Sequence, residues 1–287
     1  MIIGHIGLIG LIFIFGLAFG SFVNVVVDRL PQNRKITGRS RCEFCKKTLR
    51  AQDLIPLLSF LFLKGRCRYC KKKLSVQYPL VEFLTGALFA GVYQVSGGFG
   101  ATLPYYLALS LILWIIFLID LKKGIIPTKL VIAGVVLVLA NYTINNGYYS
   151  YKLYNYLSSS ELGGYVLQTD FLKNRLLLLW RPLLSGLMAG LALAGFFYGL
   201  IVVTRGRGMG GGDVRLGFLL GLMLGPVSTV VAVFLAFLTG AVTALILLLM
   251  KKKNFGQTVP FGPFLASAGL FSLFFGHSIW NWYLTTL

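Results

Sequence analysis

The sequence predicts an all-α membrane protein with about eight transmembrane helices and a small cytoplasmic module that holds four cysteines. The 287 residues are 57% hydrophobic and only 12% charged, and the mean hydropathy is +0.80. This composition is typical of a multi-span membrane protein. Apolar runs of about 20 residues recur, which is the length that an α-helix needs to cross the hydrocarbon. Segments that alternate as in a transmembrane β-barrel are few.

The chain divides into three predicted parts. Residues 1–28 form a first transmembrane helix, residues 29–76 a cytoplasmic cysteine module, and residues 77–287 a transmembrane core. The 27 Lys and Arg residues outnumber the 8 Asp and Glu residues, and they cluster beside apolar runs. The positive-inside rule places those clusters in the cytoplasm and both chain ends outside. The net charge of +19 therefore indicates contact with anionic lipid and not with nucleic acid.

The remaining spans follow the apolar runs. We expect them at residues 77–95, 103–119, 125–140, 183–203, 214–224, 227–250 and in a last run that ends near Trp282. A polar, tyrosine-rich stretch at 141–175 is predicted as an outside loop. Residues 214–224 are short and glycine-rich, so they form either a thin span or a broken helix inside the protein.

All four cysteines of the chain stand in two C-x2-C pairs, Cys42 with Cys45 and Cys67 with Cys70. The 21 residues between the pairs slightly exceed the usual zinc-ribbon spacing. In a reducing cytoplasm disulfides are disfavoured, which makes one structural Zn²⁺ held by four thiolates the favoured interpretation. Free thiols, or a disulfide if the module faced the other side, are the alternatives.

Three acidic residues stand at the ends of apolar runs: Glu82, Asp120 and Asp213. An ionisable residue at membrane depth is costly, and it is therefore a functional-site hypothesis by default. The glycines from Gly210 to Gly212 precede Asp213 and leave room for an extended substrate backbone beside the acid. The predicted topology places Asp120 and Asp213 at the same cytoplasmic face.

Two aspartates at one depth suggest an aspartyl protease. One carboxylate takes a proton from water while the other donates one to the peptide carbonyl, and the pair titrates as a unit. Alternatively, Asp120 and Asp213 each cap a helix N-terminus. A protein of another class, an ion- or proton-coupled transporter with buried aspartates, also fits. Glu82 is either an acid favoured by a helix dipole or a functional group.

Several motifs together resemble the bacterial type IV prepilin peptidases, over nearly the whole chain. They are "GSFVNVVVDRLP" (20–31), the two C-x2-C pairs, "LLSFLFLKGRCRYC" (57–70), "QYPLVE" (77–82), "IDLKKGIIP" (119–127), G-x-G-D (210–213) and "VPFGPFL" (259–265). G-x-G-D alone is shared with other intramembrane aspartyl proteases. The cysteine module with its flanking motifs is far more specific.

The resemblance implies that Asp120 and Asp213 are catalytic and that Gly210 and Gly212 lie beside the substrate. The expected substrate is a prepilin or pseudopilin helix, cut after a short basic leader at the cytoplasmic face of the bacterial inner membrane. It also implies N-methylation of the new N-terminus from S-adenosylmethionine, with Glu82 on the methylation or substrate-amine side. The residues that bind this methyl donor, the pilin served and the oligomeric state are not predicted. One departure stands at Thr128, where family members often carry an acid.

Overall fold

The computed structural model describes residues 2–159, 165, 169–206, 209–250 and 260–286, with side chains from residue 6 onward. Within these ranges the chain is helical apart from turns and two isolated β-bridges. The α-helices are α1 (Ile2–Arg29), α2 (Leu58–Phe62), α3 (Gln77–Val95), α4 (Leu103–Lys123), α5 (Thr128–Ser159), α6 (Phe171–Val203), α7 (Gly211–Leu249) and α8 (Gly262–Thr286). Short 3-10 helices cover Leu30–Gln32 and Ala51–Leu54.

Six helices in the described ranges are long and apolar enough to cross a membrane. They cover residues 6–32, 103–123, 128–159, 171–203, 211–249 and 262–286. The all-α, multi-pass class is confirmed. The other predicted spans correspond to α3, a 19-residue helix outside this set, and to α7, which contains two predicted spans in one helix.

The short apolar segment at 214–224 is the first half of a broken helix. α7 bends at Gly225, which has φ of 70° and ψ of 177°. Glycine adopts this backbone conformation without strain, whereas residues with a side chain do not. Pro226 follows and removes one helical hydrogen bond. Because Leu216, Leu219 and Leu220 before the bend are fully buried, this half-helix lies inside its unit.

The predicted outside loop at 141–175 is largely wrong, because helices occupy both of its ends. α5 continues to Ser159 and α6 begins at Phe171, while residues 160–164 and 166–168 lie outside the described residues. The Asn145 side chain donates to Asn141 Oδ1 (2.8 Å) one turn earlier in α5. The Asn146 amide donates to the Leu179 carbonyl of α6 (2.9 Å). The change in polarity thus marks the end of the apolar run but not the end of α5, which is joined to α6 beyond that point by the Asn146 hydrogen bond.

The chain forms two compact units, residues 1–125 and residues 126–287. In the first unit α1 packs closely on α3 through glycines. A Cβ added at Gly16 would lie 2.7 Å from Gly86 Cα, and one added at Gly20 would lie 2.6 Å from Glu82 Cα. Such backbone proximity requires glycine, and small residues serve this purpose in membrane helix packing.

The second unit is built in the same way around α7. A Cβ added at Gly221 of α7 would lie 2.4 Å from the Gly190 Cα of α6. A Cβ added at Gly269 of α8 would meet Leu220 Cδ2 at 2.4 Å. α7 is therefore the central helix of this unit, between α6 and α8. The functional division predicted at residues 28 and 76 stays a prediction.

Candidate functional site

The two C-x2-C pairs form two turns of the same geometry. In the first, the Cys42 amide donates to the Lys47 carbonyl and the Lys46 amide donates to the Cys42 carbonyl, both at 3.0 Å. In the second, Cys67, Lys72 and Lys71 repeat this pattern at 2.9 and 3.0 Å. Lys46 and Lys71 both have a left-handed backbone, with φ of 58° and 57°. The repeat aims both cysteines of each turn towards the other turn.

The four sulfur atoms converge as a metal-binding set. All lie within 4.8 Å of one another, and none forms a disulfide. Burial raises the pKa of the Cys42 thiol to about 11. At Cys67 burial acts in the same direction, but hydrogen bonds from the Cys70 and Tyr69 amides and from the neighbouring thiols outweigh it, and the pKa falls to about 7. A cysteine with thiolate character near neutral pH is suited to bind a metal.

A polar cluster at the end of α1 was missed by the sequence interpretation. The Tyr78 hydroxyl lies 3.3 Å from Asp28 Oδ2 and 3.0 Å from Glu43 Oε1, and Lys122 donates to Asp28 Oδ1 at 2.7 Å. These residues line a cavity of about 1070 Å³ between α1, α3, the end of α4 and the cysteine module. A hydroxyl has one proton for two carboxylates, so acceptor capacity remains here for a cationic ligand. The available signal was "QYPLVE", which contains Tyr78.

Glu82 lines the same cavity, one turn into α3, and is only 9% exposed. Its Oε2 accepts a hydrogen bond from the Leu57 amide at 2.9 Å. The predicted dipole interaction is therefore not its main contact. Glu82 joins α3 to the segment between the two cysteine pairs.

Asp120 lies in the last turn of α4 and is 4% exposed. Its main-chain carbonyl accepts a hydrogen bond from Gly124, whose left-handed backbone (φ 65°) ends the helix. The helix-cap alternative is wrong for this residue, because the next helix begins only at Thr128. A carboxylate at the C-terminal end of a helix is opposed by the helix dipole. Its position thus adds to the cost of its burial and indicates a role other than stability.

Asp213 is the third residue of α7 and is 7% exposed. Gly210 holds the N-cap position, so Asp213 is not the N-cap residue, but its side chain takes part in capping from the third helical position. Asp213 and Gly210 bond reciprocally: the Gly210 amide donates to Asp213 Oδ2 (3.1 Å), and the Asp213 amide donates to the Gly210 carbonyl (3.0 Å). The other oxygen, Oδ1, is buried and accepts no hydrogen bond from any described residue. Its capacity to accept a hydrogen bond is therefore unused among the described residues.

The glycines before Asp213 differ in their surroundings. A Cβ added at Gly212 would meet Ile126 Cβ at 3.0 Å, so this glycine lets the segment before α5 pack against the start of α7. Gly211 has open space, and at Gly210 a Cβ would make only ordinary contact with Asp213. Room beside the acid is therefore found at Gly210 and Gly211. The predicted substrate contact of Gly210 and Gly212 stays a prediction.

Arg215 was not singled out from the sequence. It donates to the Gly211 carbonyl (3.1 Å) and to the Thr128 hydroxyl, and so fastens the first turn of α7 to the first residue of α5. The available signal was a basic residue two positions after the G-x-G-D aspartate. Asp120 belongs to the first unit and Asp213 to the second, and their pairing stays a prediction.

Comparison with known proteins agrees with these features. Residues 14–95 match the bacterial peptidase A24 N-terminal domain, and residues 107–245 match the type IV leader peptidase family. A "prepilin leader peptidase/N-methyltransferase" of Aeromonas salmonicida strain A449 is 32% identical over 96% of this chain and 94% of the relative. A protein of the same name from Bacillus subtilis strain 168 is 30% identical over 96% of this chain and 98% of the relative. Another, from Legionella pneumophila, is 31% identical over 94% of this chain and 92% of the relative.

No solved structure matches the chain. The matches to relatives run through both units and include the cysteine module. The chain therefore belongs to the type IV leader peptidase family.

Proposed function

We propose that the protein is an intramembrane aspartyl endopeptidase that removes the leader of type IV prepilins or pseudopilins, and that Asp120 and Asp213 are its catalytic pair. The main support for this proposal is the hydrogen bonding of the Asp213 carboxyl group. One of its carboxyl oxygens is fixed by the Gly210 amide, and the other is buried without a hydrogen-bond partner among the described residues. A buried carboxyl oxygen held ready in this way suits a group that activates water.

The helix dipoles favour a division of roles between the two acids. Asp213 stands at the positive end of α7 and receives an amide hydrogen bond, whereas Asp120 stands at the negative end of α4. We assign the shared negative charge to Asp213, which accepts the proton of the attacking water. Asp120 then carries the proton that is donated to the peptide carbonyl.

We place the reaction at the cytoplasmic face of a bacterial inner membrane, with both chain ends outside. The support is the positive-inside rule applied to the Lys and Arg clusters beside Asp120, Asp213 and the cysteine module. A strongly basic face does not attract a basic leader, so the pilin helix is recognised within the membrane. The basic module then contacts anionic lipid, as a charge of +19 favours.

We further propose that the four cysteines hold one structural Zn²⁺ and that the protein methylates the new N-terminus of its product. Four sulfur atoms within 4.8 Å of one another fit the tetrahedral preference of zinc. The relatives are named as N-methyltransferases as well as peptidases. The comparisons give no support to the transporter alternative.

S-adenosylmethionine supplies an electrophilic methyl group when it is bound, and the cavity of the first unit fits it. A volume of about 1070 Å³ is large enough for such a ligand. Asp28 and Glu43, beside the Tyr78 hydroxyl, offer acceptors for its positive charges. The same carboxylates accept the proton that a product amine must lose before it can act as a nucleophile.

The proposed function is tested with Asp120→Asn and Asp213→Asn in purified, membrane-reconstituted protein given a synthetic prepilin. Both variants should insert normally and lose at least about 10³-fold in cleavage rate, because the one remaining carboxylate cannot both accept the proton of water and donate a proton to the peptide carbonyl. Asp170→Asn is the matched control, since Asp170 is an exposed acid at the start of α6. Full cleavage by either Asp120→Asn or Asp213→Asn would rule out the pair.

A further inference from the structure

The segment between the two cysteine pairs contains a strained turn. At Leu57 the backbone has φ of 60° and ψ of −51°, and the Leu58 amide donates to the Pro56 carbonyl at 2.6 Å. This is a γ-turn of the positive-φ form, which is rare. A positive φ is strained for leucine, and such conformations persist only where their surroundings hold them.

The Glu82 carboxyl group holds the Leu57 turn in place. Its Oε2 accepts the hydrogen bond of the Leu57 amide at 2.9 Å, across 25 residues of sequence. The Ser21 side chain, on α1, interacts with the same carboxyl group. Because Glu82 is 9% exposed, water competes little for this hydrogen bond.

Glu82 is itself fixed by the packing of two long helices. Its Cα lies where α1 comes closest to α3, since a Cβ added at Gly20 would be 2.6 Å away. The acceptor for the Leu57 amide therefore stands at a close backbone contact between α1 and α3. The turn, in contrast, belongs to the cysteine module.

The turn is followed by α2, which forms part of the cavity wall. Ser59 and Phe60 of α2 and Leu63 after it line the cavity, as Glu82 does. The direction in which the chain enters α2 is set at Leu57. The hydrogen bond from the Leu57 amide to Glu82 therefore links the start of this wall to α3.

We propose that Glu82 is a positioning residue, whose carboxyl oxygen holds the Leu57 turn and with it the α2 wall of the ligand cavity. It acts as a hydrogen-bond acceptor and not as an acid or base in methylation. This role rests on the cavity holding the methyl donor, as proposed above. It predicts that an amide oxygen at position 82 serves as well as a carboxylate.

The test compares Glu82→Gln, which keeps the acceptor oxygen, with Glu82→Ala, which removes it. Four properties are measured on the full chain in lipid nanodiscs: binding of S-adenosylhomocysteine by calorimetry, methylation of the cleaved product, prepilin cleavage, and hydrogen exchange of residues 54–63. Gln94→Ala, an exposed change on the same helix, is the control.

We expect Glu82→Gln to bind S-adenosylhomocysteine within about threefold of the unmodified protein. Glu82→Ala should bind it at least about tenfold more weakly and exchange faster over residues 57–63, with cleavage unchanged. Adding Leu57→Gly to Glu82→Ala should restore part of the binding, because glycine adopts positive φ without strain. This double variant also tests the role if the single alanine variant folds poorly.

Two results would overturn this role. One is a Glu82→Gln variant that binds S-adenosylhomocysteine normally yet cannot methylate, which would make the charge itself necessary. The other is unchanged hydrogen exchange in Glu82→Ala. If the unmodified protein does not bind S-adenosylhomocysteine at all, the methyl-donor site proposed above is wrong, while hydrogen exchange still decides the contact between Glu82 and Leu57.

Discussion

The Arg215 guanidinium donates a hydrogen bond to the Thr128 hydroxyl, and through it the first turn of α7 is tied to the first turn of α5. The same guanidinium donates to the Gly211 carbonyl at 3.1 Å. Thr128 occupies the position where the resembling family often carries an acid. A carboxylate at this position would accept the same hydrogen bond from Arg215.

Replacing Arg215 should weaken prepilin cleavage without abolishing it. Arg215→Ala removes the link that orients the turn carrying Asp213, and a hydrogen bond to a charged group at an exposed site contributes about 1 kcal/mol. We expect the cleavage rate to fall about fivefold, and Arg215→Lys to recover part of it. Lys129→Ala, an exposed change beside Thr128, is the control. Equal rates for Arg215→Ala and the unmodified protein would contradict the role.

Removal of the metal should impair methylation and leave cleavage nearly intact. Purified protein is expected to carry about one zinc per chain, measured by mass spectrometry of the metal. Cys67→Ser should lose that zinc and most of the methylation, because one of the four sulfur ligands is gone. Thr48→Ala, an exposed change in the first cysteine turn, should keep both. A metal-free unmodified protein whose four thiols all react under native conditions would refute the zinc site.

Any side chain at Gly16 should destabilise the contact between α1 and α3. In Gly16→Ala the new methyl group would lie 2.7 Å from Gly86 Cα, and because neither backbone can yield easily, α1 and α3 must separate. We expect a loss of about 1–3 kcal/mol in stability, measured by thermal unfolding in detergent. Gly10→Ala is the matched control on the same helix, since a Cβ there has nothing within 4 Å. A similar unfolding temperature for both variants would contradict the close helix contact.

The bend in α7 should depend on Gly225. Alanine at this position must adopt a φ of 70° with ψ of 177°, which costs about 1–3 kcal/mol. Gly225→Ala should therefore lower the unfolding temperature and the cleavage rate together, because the buried half-helix that begins beside Asp213 loses its fixed direction. Gly240→Ala, on the same helix with only ordinary contacts of 3.6 Å, should change neither. An unaffected Gly225→Ala variant would show that the bend is not required.

The polar stretch after residue 140 illustrates where hydropathy misleads. Hydropathy reports the free energy of transferring side chains into lipid, and that quantity does change near Ala140. Whether the backbone stays helical depends instead on hydrogen bonds such as that from Asn146 to the Leu179 carbonyl, 33 residues away. The sequence interpretation therefore located the end of the apolar run and missed the end of the helix.

The membrane class, the set of four cysteines and the two candidate aspartates could be read from the sequence, because composition, motif spacing and the rarity of acids among apolar runs are local properties. The fold was needed to show that Asp120 lies in the last turn of α4, that Asp213 lies in the first turn of α7, and that Gly212 accommodates Ile126. It also decided that Glu82 holds the Leu57 amide. These facts depend on backbone geometry and on contacts between residues distant in sequence, whose energies no local pattern contains.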